Sequence, residues 1–217
     1  YVQIKEPGNI PWSSFEVDTV IESSGLFTTR EVLQKHLDSG AKRVILSCPT
    51  KDESIKTIVM GINDCILTSD DDIVSNASCT ANGAAPILHV MQQNFGIEVA
   101  FMTTVHPFTN NQRIIDAPHS DPRRSRSLAN NIIPTHSTSV DAIHQIFPFL
   151  KDKFQGVAIR VPIPAGALLE LMIKTEKPIS IEKINNAFIE ASLGNLKNIF
   201  EFTEDELVSS DIVNNTS

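Results

Sequence analysis

Between residues 17 and 62 short β-branched runs alternate with one amphipathic stretch, and this alternation constrains the fold more than any other feature of the chain. Val17 to Gly25 reads as a strand stopped by small residues, with a loop at its carboxyl end. A helix is expected from about Thr29 to Ser39, with Thr28 or Thr29 as N-cap, Val32, Leu33, His36 and Leu37 on one face, and Gly40 just past its end. Arg43 to Cys48 and Thr57 to Ile62 follow as further strands. Strand, helix and strand within roughly 30 residues form a βαβ unit, whose crossover returns the chain in the same direction and so requires a parallel sheet.

The rhythm changes further on. Cys79 to Gln93 is predicted to be a helix, entered through Ser75-Asn76-Ala77-Ser78 and carrying Ile87, Leu88, Val90 and Met91. Glu98 to Val105, Gly156 to Pro162 and Leu168 to Thr175 read as longer strands, separated by a polar segment from His106 to Asn131 and a helix from about Ser139 to Phe147. A last helix, Ile181 to Leu193, is capped by Ser180 and ended by Gly194; Ile181, Ile184, Ala187, Phe188 and Ala191 give it a core-facing stripe. This mixture predicts an α+β second part. Asp70-Asp71-Asp72 reads as a solvated turn, and no internal repeat or low-complexity tract is present.

Several function classes fall away. The nine glycines lie no closer than ten positions apart, which excludes a G-x-G-x-x-G dinucleotide loop or a phosphate loop within these residues. A formal charge of −8 disfavours a general nucleic-acid binder, which needs cations to displace counterions from phosphates. Hydrophobic residues at 41% and charged residues at 20% argue against disorder. No apolar run approaches the ~18 to 20 residues that cross a bilayer, so no membrane partner is expected. The start shows no signal-peptide pattern, and the absence of an initial Met suggests a fragment or a processed product. Three cysteines, an odd number, point to a reducing, cytoplasmic setting. No metal site is expected.

Chemistry concentrates at three places. Cys79 sits among small polar residues at a helix entry, where free backbone N–H groups and the helix dipole favour an anion; a thiolate there is nucleophilic near neutrality. A buried structural cysteine is the alternative. Met102 to Asn110 is a strand ending in His106 with hydroxyl and amide groups beyond it, which supplies the base for a thiolate–imidazolium pair if the two residues meet in space. The third feature is cationic: Arg123-Arg124-Ser125-Arg126 in a polar loop, and Arg160 inside an apolar strand. A guanidinium in a strand needs an anionic partner, either an internal carboxylate or a ligand phosphate. The loop triplet alone is equally a solvated basic patch.

These residues resemble a known family. Ser75 to Thr80, Thr103-Thr104-Val105-His106, Asp121 to Arg126, Asn131-Ile132-Ile133-Pro134 and Arg160-Val161-Pro162 look like phosphorylating glyceraldehyde-3-phosphate dehydrogenase of bacterial type. Glu22 to Thr28, Gly40 to Ile45 and Leu207 to Asp211 are similar to further motifs of that family, in one collinear order. The resemblance implies an α/β chain, a partial Rossmann-type parallel sheet followed by an α+β catalytic domain with a mixed sheet. Residues 1–78 would be the rear part of an NAD-binding domain and residues 79–217 a catalytic domain, with the glycine loop and the closing helix of the family lying outside.

By the same resemblance Cys79 is the nucleophile, His106 the base and NAD the cofactor. Thr109 and Arg160 match the site for the phosphate of the substrate, glyceraldehyde 3-phosphate. Ser78, Thr80, Arg124, Ser137 and Thr138 match the site for attacking inorganic phosphate. Lys5, Ser24, Phe27, Ser47 and Asn110 fall where the family contacts NAD. A homotetramer is implied for an intact chain, with the segment around Pro118 to Asn131 between subunits. Sibling enzymes acting on erythrose 4-phosphate share most of these motifs, and NAD against NADP is not settled by them. The chain departs from the pattern at Gly83, at Thr138 and in Ile163 to Ala167. These departures keep open a catalytically impaired relative acting as a binding protein, while a cysteine hydrolase would leave Arg160 unexplained.

Overall fold

The computed structural model describes residues 1–215; the last two residues of the expected catalytic span, 216 and 217, lie outside them. The fold is mixed α/β with two four-stranded sheets. The first is wholly parallel: β1 (Thr19–Glu22), β2 (Arg43–Leu46), β3 (Lys56–Thr57) and β4 (Ile73–Ser75) lie in the order β1-β2-β4-β3. Helix α1 (Arg30–Asp38) crosses over it and buries Leu33 and His36. Its first amide is taken by Asp52 Oδ2 at 2.7 Å, while Thr29 occupies the N-cap without a side-chain bond.

The expected strand Thr57 to Ile62 is only two residues long, Lys56–Thr57. Asn63 explains the stop: its Oδ1 accepts from Val59 N at 2.8 Å and its Nδ2 donates to Thr57 O at 2.9 Å. Asp64 Oδ1 then accepts from Gly61 N at 2.7 Å. Side-chain turn bonds thus take the backbone groups that a ladder would have used. Ile58 and Val59 are buried as loop residues. The parallel partner of β3 is β4, which was not foreseen; only its last residue, Ser75, falls within the sequence reading, as part of the polar entry to the next helix.

Helix α2 (Cys79–Phe95) leads into the second sheet, ordered β6-β7-β5-β8 from β5 (Ile97–Pro107), β6 (Ile133–His136), β7 (Phe154–Val161) and β8 (Leu168–Thr175). β5 is central, parallel to β7 and antiparallel to β8. β6 was not foreseen: it is short, carries Pro134 and lies at the edge, where a residue lacking an N–H is tolerated. Helix α3 (Ser139–Ile146) and helix α4 (Ile181–Leu193) complete the set. The main core joins Ala81, Leu88 and Met91 of α2, Ile97 and Met102 of β5, Ile143 of α3, and Phe154 of β7. Ile184, Ala187 and Phe188 of α4 pack against that core, whereas Ile181 is exposed. Gln145 of α3 ties the parallel sheet to this layer, accepting from Thr57 Oγ1 at 2.7 Å and donating to Thr50 O at 3.0 Å. That link joins the last turn of α3 to β3 and to the loop that follows β2.

Candidate active site

Cys79 is the first residue of α2, and the N-cap Ser78 accepts from Ala81 N at 3.0 Å. Ala77, fully buried, turns the chain into this start with φ 63°, a left-handed conformation that alanine adopts at a cost. The thiol is solvent-accessible and its Sγ lies 3.2 Å from His106 Nε2. His106 is held near the end of the central strand β5, with its Nδ1 2.7 Å from Pro107 O and also touching Arg160 Nη1. Nδ1 thus lies between an acceptor, the Pro107 carbonyl, and a donor, the Arg160 guanidinium, while Nε2 faces the sulfur. The contact with His106 draws the Cys79 thiol below its ordinary pKa; burial opposes this, while the His106 charge and the Thr80 amide and hydroxyl add to it. Cys48, on the opposite wall, goes the other way, raised by burial and then by the charge of Glu22.

The register of the parallel pair sets His106 opposite Arg160. Arg160 Nη1 donates to Pro107 O at 2.9 Å, and its buried Nε has no hydrogen-bond partner among the described residues. Among the described residues its hydrogen bonds go to the His106 ring and Pro107 O and to no carboxylate, so the internal ion pair weighed from the sequence is not what holds it. Burial, and then the like charge of Arg124, lower the guanidinium pKa, and the Cys79 charge raises it. Arg124 is fixed by Thr135 Oγ1 at 2.8 Å, Asn111 Oδ1 at 2.5 Å and Asp121 Oδ2 at 3.3 Å. The loop triplet is therefore not uniformly a solvated patch. Two guanidiniums thus line the same cleft as a thiol of lowered pKa, an arrangement suited to an anionic ligand.

Cys79, His106, Arg160, Arg124 and Cys48 line one cleft of about 570 Å³, together with Ser78, Thr80, Thr109, Ser137, Thr138 and Ser47. Lys5, Ser24, Phe27 and Asn110 lie outside its lining: Lys5 is exposed before β1, Phe27 packs against the parallel-sheet core, and Ser24 Oγ accepts from Leu26 N. Thr138, one of the departures from the family pattern, has φ −72°, an ordinary helical value, so its side chain causes no backbone strain. Sequence reasoning missed Asn111, His136 and Ser139, which also line the cleft. It missed Gln112 too, a buried side chain whose Oε1 accepts from Thr109 N at 2.9 Å and Thr109 Oγ1 at 3.1 Å. Asn111 and Gln112 come just after the Thr109-Asn110 pair, so their proximity was the available signal.

Comparison with known proteins places the chain. The profile of the family described as "Glyceraldehyde 3-phosphate dehydrogenase, C-terminal domain" matches residues 78–217. The chain is 44% identical over 214 residues to "Glyceraldehyde-3-phosphate dehydrogenase 2" of Streptomyces avermitilis, covering 98% of itself and 64% of that relative. It is 47% identical over 210 residues to the Streptomyces coelicolor protein named glyceraldehyde-3-phosphate dehydrogenase, covering 96% of itself and 62% of that protein. With the protein of that name from Mycobacterium avium the figures are 46% over 213 residues, 98% and 62%. The chain thus spans less than two thirds of the length of these curated relatives.

Proposed function

Because the chain belongs to the glyceraldehyde-3-phosphate dehydrogenase family, we propose that the whole protein oxidises glyceraldehyde 3-phosphate with NAD and inorganic phosphate, releasing 1,3-bisphosphoglycerate, in glycolysis or gluconeogenesis. One observation carries this reading above the others: Cys79 Sγ and His106 Nε2 stand 3.2 Å apart in a cleft that Arg160 and Arg124 also line.

In this reading Cys79 adds as thiolate to the aldehyde carbon while His106 gives a proton to the carbonyl oxygen, forming a thiohemiacetal. His106 then draws that proton back as the carbon is oxidised to a thioester. The chemistry that a bound nicotinamide supplies is acceptance of the hydride from that carbon. Phosphate attacks the thioester, and Cys79 departs as a thiolate stabilised again by His106. Thr109 and Arg160 hold the substrate phosphate; Ser78, Thr80, Arg124, Ser137 and Thr138 hold the attacking one. Gln112 fixes the orientation of the Thr109 hydroxyl.

The residues present fit the nicotinamide end of the cofactor. Ser23, Gly25, Ser47 and Cys48 line the cleft just past the carboxyl ends of β1 and β2, where open parallel sheets take nucleotides. Ser47 would meet the ring end, and Ser24, Phe27, Asn110 and Lys5 would serve more distant contacts. Residues 1–78 then form the rear of the NAD-binding domain and residues 79–217 the catalytic domain. A homotetramer is supported by the outer face of the mixed sheet, where Val99, Phe101, Val157, Leu168 and Met172 are exposed. Among the described residues no helix is long and apolar enough to cross a membrane; a cytoplasmic setting rests on that together with the three free thiols.

The test is NADH production by the full-length protein given glyceraldehyde 3-phosphate, NAD and phosphate. Cys79→Ser abolishes it, and erythrose 4-phosphate in parallel ranks the two aldehydes. A full-length protein that makes no NADH from either aldehyde overturns the reading in favour of a catalytically silent binding protein.

A further inference from the structure

Next to the carboxyl end of β1 runs a chain of hydrogen bonds, buried at its centre, that the chemistry above does not use. Glu22 ends β1 and His36 lies on the inner face of α1, with 7% and 3% of their surfaces exposed. Trp12, the only tryptophan of the chain, gives its indole N–H to His36 Nδ1 at 3.0 Å. An indole nitrogen can only donate, so Nδ1 accepts and the ring proton sits on Nε2. That Nε2 faces Glu22 Oε2 at 3.1 Å, and Glu22 Oε1 accepts the backbone N–H of Ser24 at 2.7 Å. Ser24 Oγ accepts from Leu26 N at 3.1 Å, and Gly25, at φ 72°, completes the turn. Ser23 and Gly25 of this same turn line the cleft.

We infer that Glu22, locked by His36 and Trp12, is the positioning residue of the Ser23–Gly25 turn and thereby sets how tightly the cleft holds the nicotinamide end of the dinucleotide. The inference rests on the reading of the cleft given under Proposed function. Its logic is one of donors and acceptors. Glu22 meets two donors, Ser24 N–H and His36 Nε2–H, and a carboxylate answers both. A glutamine has one acceptor oxygen, and its amide N–H would confront the His36 N–H. The turn or the histidine must then let go. Removing the Trp12 donor frees the imidazole to carry its proton on Nδ1, and Nε2 can then accept from the glutamine amide.

Equilibrium titration of NAD into the full-length protein, separate from turnover, tests this. Glu22→Gln weakens NAD binding about tenfold, while kcat at saturating NAD falls less than threefold and the constants for aldehyde and phosphate hold. Adding Trp12→Phe to Glu22→Gln returns NAD affinity to within threefold of the parent, a recovery that a loss of packing alone would not give. Where Glu22→Gln does not fold, Glu22→Asp serves: it keeps the charge but cannot span both donors, and it weakens NAD binding in the same direction. NAD affinity equal to the parent in the folded variant, or no recovery in the double variant, overturns the inference. A parent protein that binds no NAD overturns the functional reading instead.

Discussion

Replacing His106 by Asn tests the sulfur–imidazole contact most directly, because the substitution keeps a polar group of moderate size while removing the ring nitrogen 3.2 Å from Cys79 Sγ. A hydrogen bond to a charged group contributes about 1.5–3 kcal/mol. Cys79 is exposed, and the Thr80 amide and hydroxyl remain, so the lower end applies. About 1.5 kcal/mol is roughly a tenfold loss of thiolate at fixed pH. The thiolate is the form that reacts, so the alkylation profile of Cys79 shifts to higher pH in the variant, and its rate near pH 7 falls about tenfold. Iodoacetamide labelling followed by peptide mass spectrometry reads each cysteine separately. In the parent protein Cys79 reacts far ahead of Cys65, and Cys48 is held back by burial and by Glu22. A His106→Asn protein that labels at Cys79 as fast as its parent, or a Cys48 that keeps pace with Cys79, refutes the reasoning.

Other outcomes follow from the same geometry. Arg160→Lys replaces a planar fork by a point charge and raises KM for the phosphorylated aldehyde at least tenfold, measured by steady-state kinetics of the full-length protein. Gly156→Ala lowers stability by about 1–3 kcal/mol, because the new Cβ would lie 2.9 Å from the Met102 carbonyl oxygen, which is backbone; chemical denaturation measures it. Gly83→Ala meets only the end of the Leu169 side chain at 2.9 Å, and removing glycine from a helix interior gains up to about 1 kcal/mol, so its melting temperature does not fall. Asp52, with bonds from Ser54 and Arg30 N, and Asp121, with bonds from Arg123 N and Arg124 N, have carboxyls held below the ordinary value in the folded state. A depressed folded pKa stabilises above the unfolded value of about 3.9 and is lost as pH falls through the folded one. Acid unfolding of Asp52→Asn therefore begins from lower stability at neutral pH, and the gap to the parent closes below about pH 4.

The sequence carried the long periodic elements well. α1, α2 and α4, and strands β1, β2, β7 and β8, follow from spacing that local chemistry does not contest. It failed where short-range bonds or edge position decided. Asn63 and Asp64 captured backbone groups that the run Thr57 to Ile62 would have given to a ladder. β4 has only three residues, and β6 hides behind Pro134. At the site, Cys79 and His106 were legible as ingredients because each sits at the end of a recognisable element. Their meeting was not legible, nor was that of His106 with Arg160, since a register joining residues 54 apart is set by tertiary pairing of β5 with β7. Gln112 and Asn111 escaped because amide side chains in a loop carry no periodic mark.

The central place of β5 divides the site mechanically. His106 belongs to a strand tethered along both edges, by β7 on one side and β8 on the other. Such strands open only with the whole domain, so the amides along the middle of β5 exchange their hydrogens among the slowest in the protein, and His106 is anchored at the end of that strand by its pairing with Arg160. Cys79 sits instead at a helix end, where the first amides lack intrahelical partners and exchange through local fraying. Under the proposed function this makes His106 the anvil and Cys79 the moving part: accommodation to aldehydes of different length would fall to the Cys79 side, with the direction of proton transfer fixed.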